Sequence, residues 1–179
     1  MQNKLSQIRL LLLDVDGVLT NGQIIYDGAG QELKMFDVRD GHGIKLLHRA
    51  GYRTGIITGR SSKVVERRAE ELGINILYQG AVNKLEPFEE ILRHTGLSPE
   101  QVAYVGDDLI DLPVLNRVGF SATVADGDPE VCRRVDYVAS REGGRGAVRE
   151  LCELILKHGG HWDRVTARYF APVTAGNDH

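Results

Sequence analysis

Cysteine is scarce in this chain: Cys132 and Cys152 are its only two, far apart and without the spacing of a metal site. That excludes a disulfide scaffold and fits buried structural thiols in a reducing cytoplasm. An excess of positive charge is also missing, since 22 Lys and Arg stand against 25 Asp and Glu for a formal net charge of −3. Nucleic acid and anionic membrane are therefore not expected as partners. No apolar stretch could span a bilayer, and the run near the N-terminus is too short for a signal peptide and leads straight into acids. No Gly-x-x-x-x-Gly-Lys-Ser/Thr occurs, which excludes a P-loop kinase as far as motifs go. What remains is an ordinary globular composition, 42% hydrophobic and 26% charged over 179 residues. That length suits one domain, which buries roughly 70% of the surface its unfolded chain exposes.

What the sequence does have is an apolar run, Leu10–Leu13, ending in Asp14-Val15-Asp16-Gly17. The run suits a strand buried on both faces. Ligands in α/β sheets bind at the carboxyl ends of such strands. Alternation sends Asp14 and Asp16 to one side, and a cation or a shared proton is the usual remedy for carboxylates so close.

The next segments, Gln23–Tyr26 and Glu32–Asp37 around Asp27-Gly28-Ala29-Gly30, read as a hairpin, either a flap over the acidic turn or a plain edge hairpin. Helices are expected over 43–50, 63–72, 82–94, 128–134 and 147–157, with a short one ending at Val118. Strands are expected over 52–57, 74–78, 102–105 and 120–124, with a last one near Tyr137-Val138. The segment 159–179 reads as an irregular tail. The domain would then be 1–158, with the hairpin at about 21–38. The alternation of strand and helix points to an α/β fold, a mostly parallel sheet between helical layers.

Strand ends carry Asp14 and Asp16, then Thr58, then Asp107 and Asp108, while Lys84 begins a helix after the third strand. Each has a plain structural reading alone: a helix cap, a surface lysine, a solvated turn. On one rim of a parallel sheet they suit phosphoryl transfer, which needs a positioned nucleophile and dispersed charge on the phosphate oxygens.

Asp14-Val15-Asp16-Gly17-Val18, Ile57-Thr58-Gly59, Lys84 and Gly106-Asp107-Asp108-Leu109-Ile110-Asp111 together resemble the motifs of the haloacid dehalogenase (HAD) superfamily of phosphatases. Phe36–Gly41, Thr58-Gly59-Arg60, Tyr78-Gln79-Gly80 and Gly143–Glu150 further resemble the branch acting on 3-deoxy-D-manno-octulosonate (KDO) 8-phosphate. The resemblance runs from about Ile8 to Leu156. It implies a Rossmannoid parallel sheet sandwiched by helices, a small β-hairpin flap and no large cap domain. Asp14 would be the nucleophile, and Asp16 the acid and then the base. Asp14, the Asp16 backbone carbonyl and Asp107 would bind Mg²⁺, with Thr58 and Lys84 on the phosphate. Gly59, Arg60 and Arg39 would contact the substrate, a small sugar-acid phosphate. Asp108 would support the metal ligands and Asp111 the loop, while His42 would face the sugar or serve the fold. The branch also implies a homotetramer in which neighbouring hairpins roof each site.

Other readings compete. A phosphatase for a nine-carbon sialic-type acid phosphate is expected to carry an acid at the position of Arg60. Related domains appended to sialic-acid cytidylyltransferases serve oligomerisation, but here every catalytic position is filled. A receiver domain places its acid pair and its phosphorylated aspartate in the opposite order.

Overall fold

The computed structural model describes residues 2–170. After a short helix α1 (Gln2–Leu5), strand β1 (Leu10–Leu13) enters the core with all four leucines buried. The hairpin follows as β2 (Ile25–Tyr26) and β3 (Glu32–Leu33), and then the chain alternates: α2 (Val38–Ala50), β4 (Arg53–Ile57), α3 (Lys63–Leu72), β5 (Ile76–Tyr78), α4 (Leu85–Thr95), β6 (Val102–Val105). A 3₁₀ turn over Leu109–Asp111 leads into α5 (Leu112–Leu115), β7 (Phe120–Thr123), α6 (Pro129–Cys132), β8 (Tyr137–Val138), α7 (Ala147–His158) and α8 (Trp162–Phe170).

Six strands form one parallel sheet in the order β5-β4-β1-β6-β7-β8, with the hairpin as a separate two-stranded piece. The chain moves outward from β1 to β4 and β5, then returns across β1 to β6. The topology therefore reverses at β1, which is where a ligand cleft forms outside the strand ends. Register sets the level of that rim, since Leu13 lies opposite both Ile56 and Val105. Asp14, Thr58 and Asp107 thus leave the sheet at nearly the same height.

Strand alternation builds two cores. Leu11 and Leu13 join the layer with Ile44, Leu47 and Leu151, while Leu10 and Leu12 join Phe88, Ile91, Tyr104 and Val114 on the other face. This is why the run is continuously apolar: neither face meets water.

Several strands and helices are a few residues shorter than the sequence reading, the hairpin strands and β5 among them, and the largest departures lie at α2, α4 and the C-terminal segment. Helix α2 begins at Val38, capped by the Asp37 side chain accepting from the Arg39 amide, and so includes Gly41 and Gly43. Those glycines look like breakers, but α7 passes close: a Cβ on Gly43 would lie 3.1 Å from Arg149 Cα and Cys152 Cβ. Helix α4 begins at Leu85, leaving Lys84 at its cap. The segment 162–170 is not irregular but helical, with Val165 and Thr166 buried and Lys157 over the Trp162 ring. Its Trp162, Val165 and Tyr169 share one face, a spacing hidden by the isolation of the aromatics among polar residues. The rest of the expected tail, 171–179, lies outside the described residues.

Candidate active site

The turn after β1 owes its shape to Gly17, whose φ of +93° suits glycine and whose missing side chain makes room for Asp107: a Cβ there would lie 2.0 Å from Asp107 Oδ2. Two strand ends are thereby pressed together. Asp14, Asp107 and Asp111 each bring a carboxylate oxygen within 4.8 Å of the others. Lys84, its side chain fully buried, reaches in from the cap of α4, with Nζ 3.0 Å from Asp14 Oδ1 and 2.6 Å from Asp111 Oδ1.

Asp111 is fully committed. Its Oδ1 accepts from Lys84 Nζ and from the Tyr104 hydroxyl at 2.5 Å, and its Oδ2 accepts from the amides of Asp107 and Asp108. It holds the loop, the part the resemblance implies for it, and also the lysine. Asp108 caps the 3₁₀ turn by accepting from the Leu109 amide, and it also lines the cleft. Asp14 Oδ1 and Asp107 Oδ1, by contrast, are buried without an aligned hydrogen bond, even though Lys84 stands beside the former.

Burial, only partly offset by Lys84 and reinforced by Asp111, pushes Asp14 up to about 6. Burial and the neighbouring Asp14 and Asp111 push Asp107 up to about 7. Burial works against the Lys84 ammonium, but Asp14 and Asp111 outweigh it and raise its pKa. Repelling carboxylates in one pocket, Asp107 Oδ1 without a partner and Asp14 Oδ1 offset by Lys84 alone, are what a hard divalent cation satisfies. The residues present therefore fit Mg²⁺, through Asp14 and Asp107. The Asp16 carboxylate is not in this cluster, because it is turned to Lys34 of the hairpin. Any part Asp16 takes in holding a metal falls to its backbone carbonyl.

Asp14, Asp16, Thr58, Gly59, Arg60 and Asp107 line one cleft above the strand ends. A slightly larger hollow, about 320 Å³ against about 280 Å³, lies at the opposite end of the sheet among Arg9, Tyr52 and His161. It holds no carboxylate cluster, so chemistry rather than size identifies the site.

Neither Arg39, an expected contact, nor His42, left open between the sugar and the fold, lines the cleft. Arg39 is exposed at the start of α2, where it pairs with Asp37 at 2.8 Å and donates to the Arg145 carbonyl. His42 stacks edge-on against Tyr169, with ring centroids 5.7 Å apart. Two residues escaped the sequence reading: Glu32 and Lys34, whose side chains turn inward from the hairpin to Arg60 and Asp16. Period-two alternation through Glu32, Lys34 and Phe36 is the signal for this face, and the apolar Leu33 and Met35 between them mask it.

A parallel sheet reversing at an Asp-x-Asp strand end, with a buried lysine and a second acidic loop, defines a haloacid dehalogenase-like hydrolase. A family model described as haloacid dehalogenase-like hydrolase matches residues 42–119. The chain is 52% identical over 160 residues to the 3-deoxy-D-manno-octulosonate 8-phosphate phosphatase KdsC of Escherichia coli K12, covering 89% of this chain and 85% of that protein. It superposes on the enzyme of that description from Yersinia pestis with a TM-score of 0.89 at 48% identity, covering 90% and 88% of the two chains. The Moraxella catarrhalis enzyme, solved in complex with magnesium, phosphate and KDO, gives 0.92 at 43% identity over 94% and 97%. The chain belongs to the KdsC phosphatase family.

Proposed function

We propose that this chain hydrolyses KDO 8-phosphate to KDO and inorganic phosphate, a step in building the sugar acid of lipopolysaccharide. The observation that carries the reading is the cleft itself: Asp14 at its floor, backed by the buried Lys84, with Asp107 pressed against the same turn. Asp14 attacks phosphorus; the bond from phosphorus to the sugar oxygen breaks, its electron pair stays on that oxygen, and Asp16 supplies the proton. Asp16 then takes a proton from the water that cleaves the aspartyl-phosphate, restoring both residues. Thr58 and Lys84 steady the phosphate oxygens. Asp14, Asp107 and the Asp16 carbonyl would hold Mg²⁺. When bound, that ion neutralises phosphate charge that the clustered carboxylates would otherwise repel.

Arg60, cationic at the cleft mouth, helps select the eight-carbon acid, by pairing with its carboxylate or by positioning neighbouring groups, with Gly59 beside it on the cleft wall. No membrane-spanning helix occurs among the described residues. The free thiols Cys132 and Cys152 fit a cytoplasmic location, and the exposed apolar hairpin fits a homotetramer. The test is phosphate release from KDO 8-phosphate beside a nine-carbon sialic-type acid 9-phosphate. At least a tenfold higher kcat/KM on the former is expected. Equal or reversed preference would assign the chain to the other substrate.

A further inference from the structure

Four charged side chains close a ring at the mouth of the cleft. Lys34 Nζ pairs with Asp16 Oδ1 and lies 3.4 Å from Glu32 Oε1. Arg60 Nη2 donates to that same Glu32 oxygen at 3.0 Å, and Arg60 Nε stands 3.7 Å from Asp16 Oδ2. Signs alternate around the ring, so it is neutral. Two of its members come from the hairpin and two from the loops after β1 and β4.

Its members are not equally exposed. The Lys34 side chain is 1% exposed, against 16% for Glu32, 21% for Asp16 and 41% for Arg60. Burying an ammonium is costly unless it is paired. A hairpin needing only an anchor could use an apolar residue here, as its neighbours Leu33 and Met35 show the segment can carry. The buried charge is instead directed at two carboxylates, most closely at one oxygen of Asp16, with Glu32 Oε1 3.4 Å away. The opposite side of the ring is open: 3.7 Å is too long for a hydrogen bond, and Arg60 Nε is buried without a partner. One oxygen of Asp16 is therefore fixed, while the other faces an unfilled donor across the cleft.

We propose that Lys34 is a positioning residue for the reaction: it pins Asp16 Oδ1 so that Oδ2 is presented to the oxygen leaving phosphorus, and Glu32 holds Lys34 in place while linking it to Arg60. The inference rests on the reading of Asp16 as the acid. It makes the hairpin part of the proton-transfer geometry within a single chain, besides any part it has in covering the site. The substrate that feels this is one whose leaving oxygen needs a proton, such as the sugar alcohol of KDO 8-phosphate. A phenolate that departs unaided is nearly indifferent to it.

The experiment compares alcohol or phenol release in the first turnover, by rapid quench, for KDO 8-phosphate and p-nitrophenyl phosphate. It is run on wild type, Lys34→Met, Lys34→Arg, Glu32→Gln and Asp16→Asn, with thermal melts confirming folding. Methionine keeps the unbranched stem and removes the charge. Expected for Lys34→Met is a loss on KDO 8-phosphate of roughly a hundredfold, within the range of acid–base catalysis, and a loss on the aryl ester at least tenfold smaller. Lys34→Arg should recover most of the difference, and Glu32→Gln should show the same imbalance more weakly. Equal losses on both esters for Lys34→Met and Glu32→Gln, with Asp16→Asn still unbalanced, would overturn the positioning role alone. An Asp16→Asn enzyme that loses both esters equally would instead overturn the reading of Asp16 on which it rests.

Discussion

At the residue scale the cleft is a problem of charge. Asp14 is buried and Asp107 half-buried close beside it, and their pKa values, pushed up to about 6 and about 7, lie above the ordinary 3.8. The sign of the linkage follows. In metal-free protein these two groups contribute fully to stability only below about pH 4, and that contribution is lost as pH rises through 6 and 7. A cation on the same oxygens reverses the penalty. The rise in melting temperature caused by saturating Mg²⁺ should therefore be larger at pH 8 than at pH 5.5 and be nearly abolished in Asp107→Asn. Scanning calorimetry of chelator-treated protein checks both, and a rise independent of pH would contradict the assignment of the ligands. These carboxylates were legible in the sequence because their spacing after apolar runs is distinctive. The full commitment of Asp111 to Lys84, Tyr104 and two amides was not legible, since it depends on a tyrosine from β6 that reads only as core.

Elements were legible wherever one period ran unopposed. Strands β1 and β6 announce themselves as short apolar runs, and α3 lies between a Ser62 cap and Gly73. The misreadings occur where tertiary packing overrides local preference. Gly41 and Gly43 look unfit for a helix, yet α2 runs through them because Arg68 and α7 occupy the space their side chains would need. That account makes Gly43 a packing residue. Gly43→Val should destabilise the protein by about 1–3 kcal/mol through overpacking, with a fall of roughly 2–4 °C in melting temperature per kcal/mol. The glycine's penalty within a helix, about 1 kcal/mol, works in the opposite direction. An unchanged or higher melting temperature would mean that α7 yields easily and that the close approach is incidental.

At the scale of the whole molecule, the hairpin is the part a lone chain leaves unfinished. Ile24, Tyr26, Leu33 and Met35 are all more than half exposed, and a two-stranded piece of this size is marginal alone in water. Edge-to-edge assembly of four hairpins would cover that surface and close the strand edges. A Leu33→Ser, Met35→Ser double variant should sediment as a smaller species than wild type and lose activity, with Asp14, Asp107 and Lys84 untouched. A wild-type protein that sediments as a fully active monomer at assay concentration would refute the assembly. The one sheet, its reversal at β1 and the acids beyond it are all foreshadowed by strand order and strand ends. The inward face of the hairpin is not, because Glu32 and Lys34 acquire their meaning only opposite Asp16 and Arg60.

The central claim is that phosphate passes through Asp14. The most direct measurement is borodeuteride trapping during turnover of KDO 8-phosphate, followed by peptide mass spectrometry, because hydride reduces an acyl phosphate to the alcohol. The account predicts deuterated homoserine at position 14, absent without substrate and absent in Asp14→Asn. Label at another aspartate, or full turnover by Asp14→Asn, would contradict it.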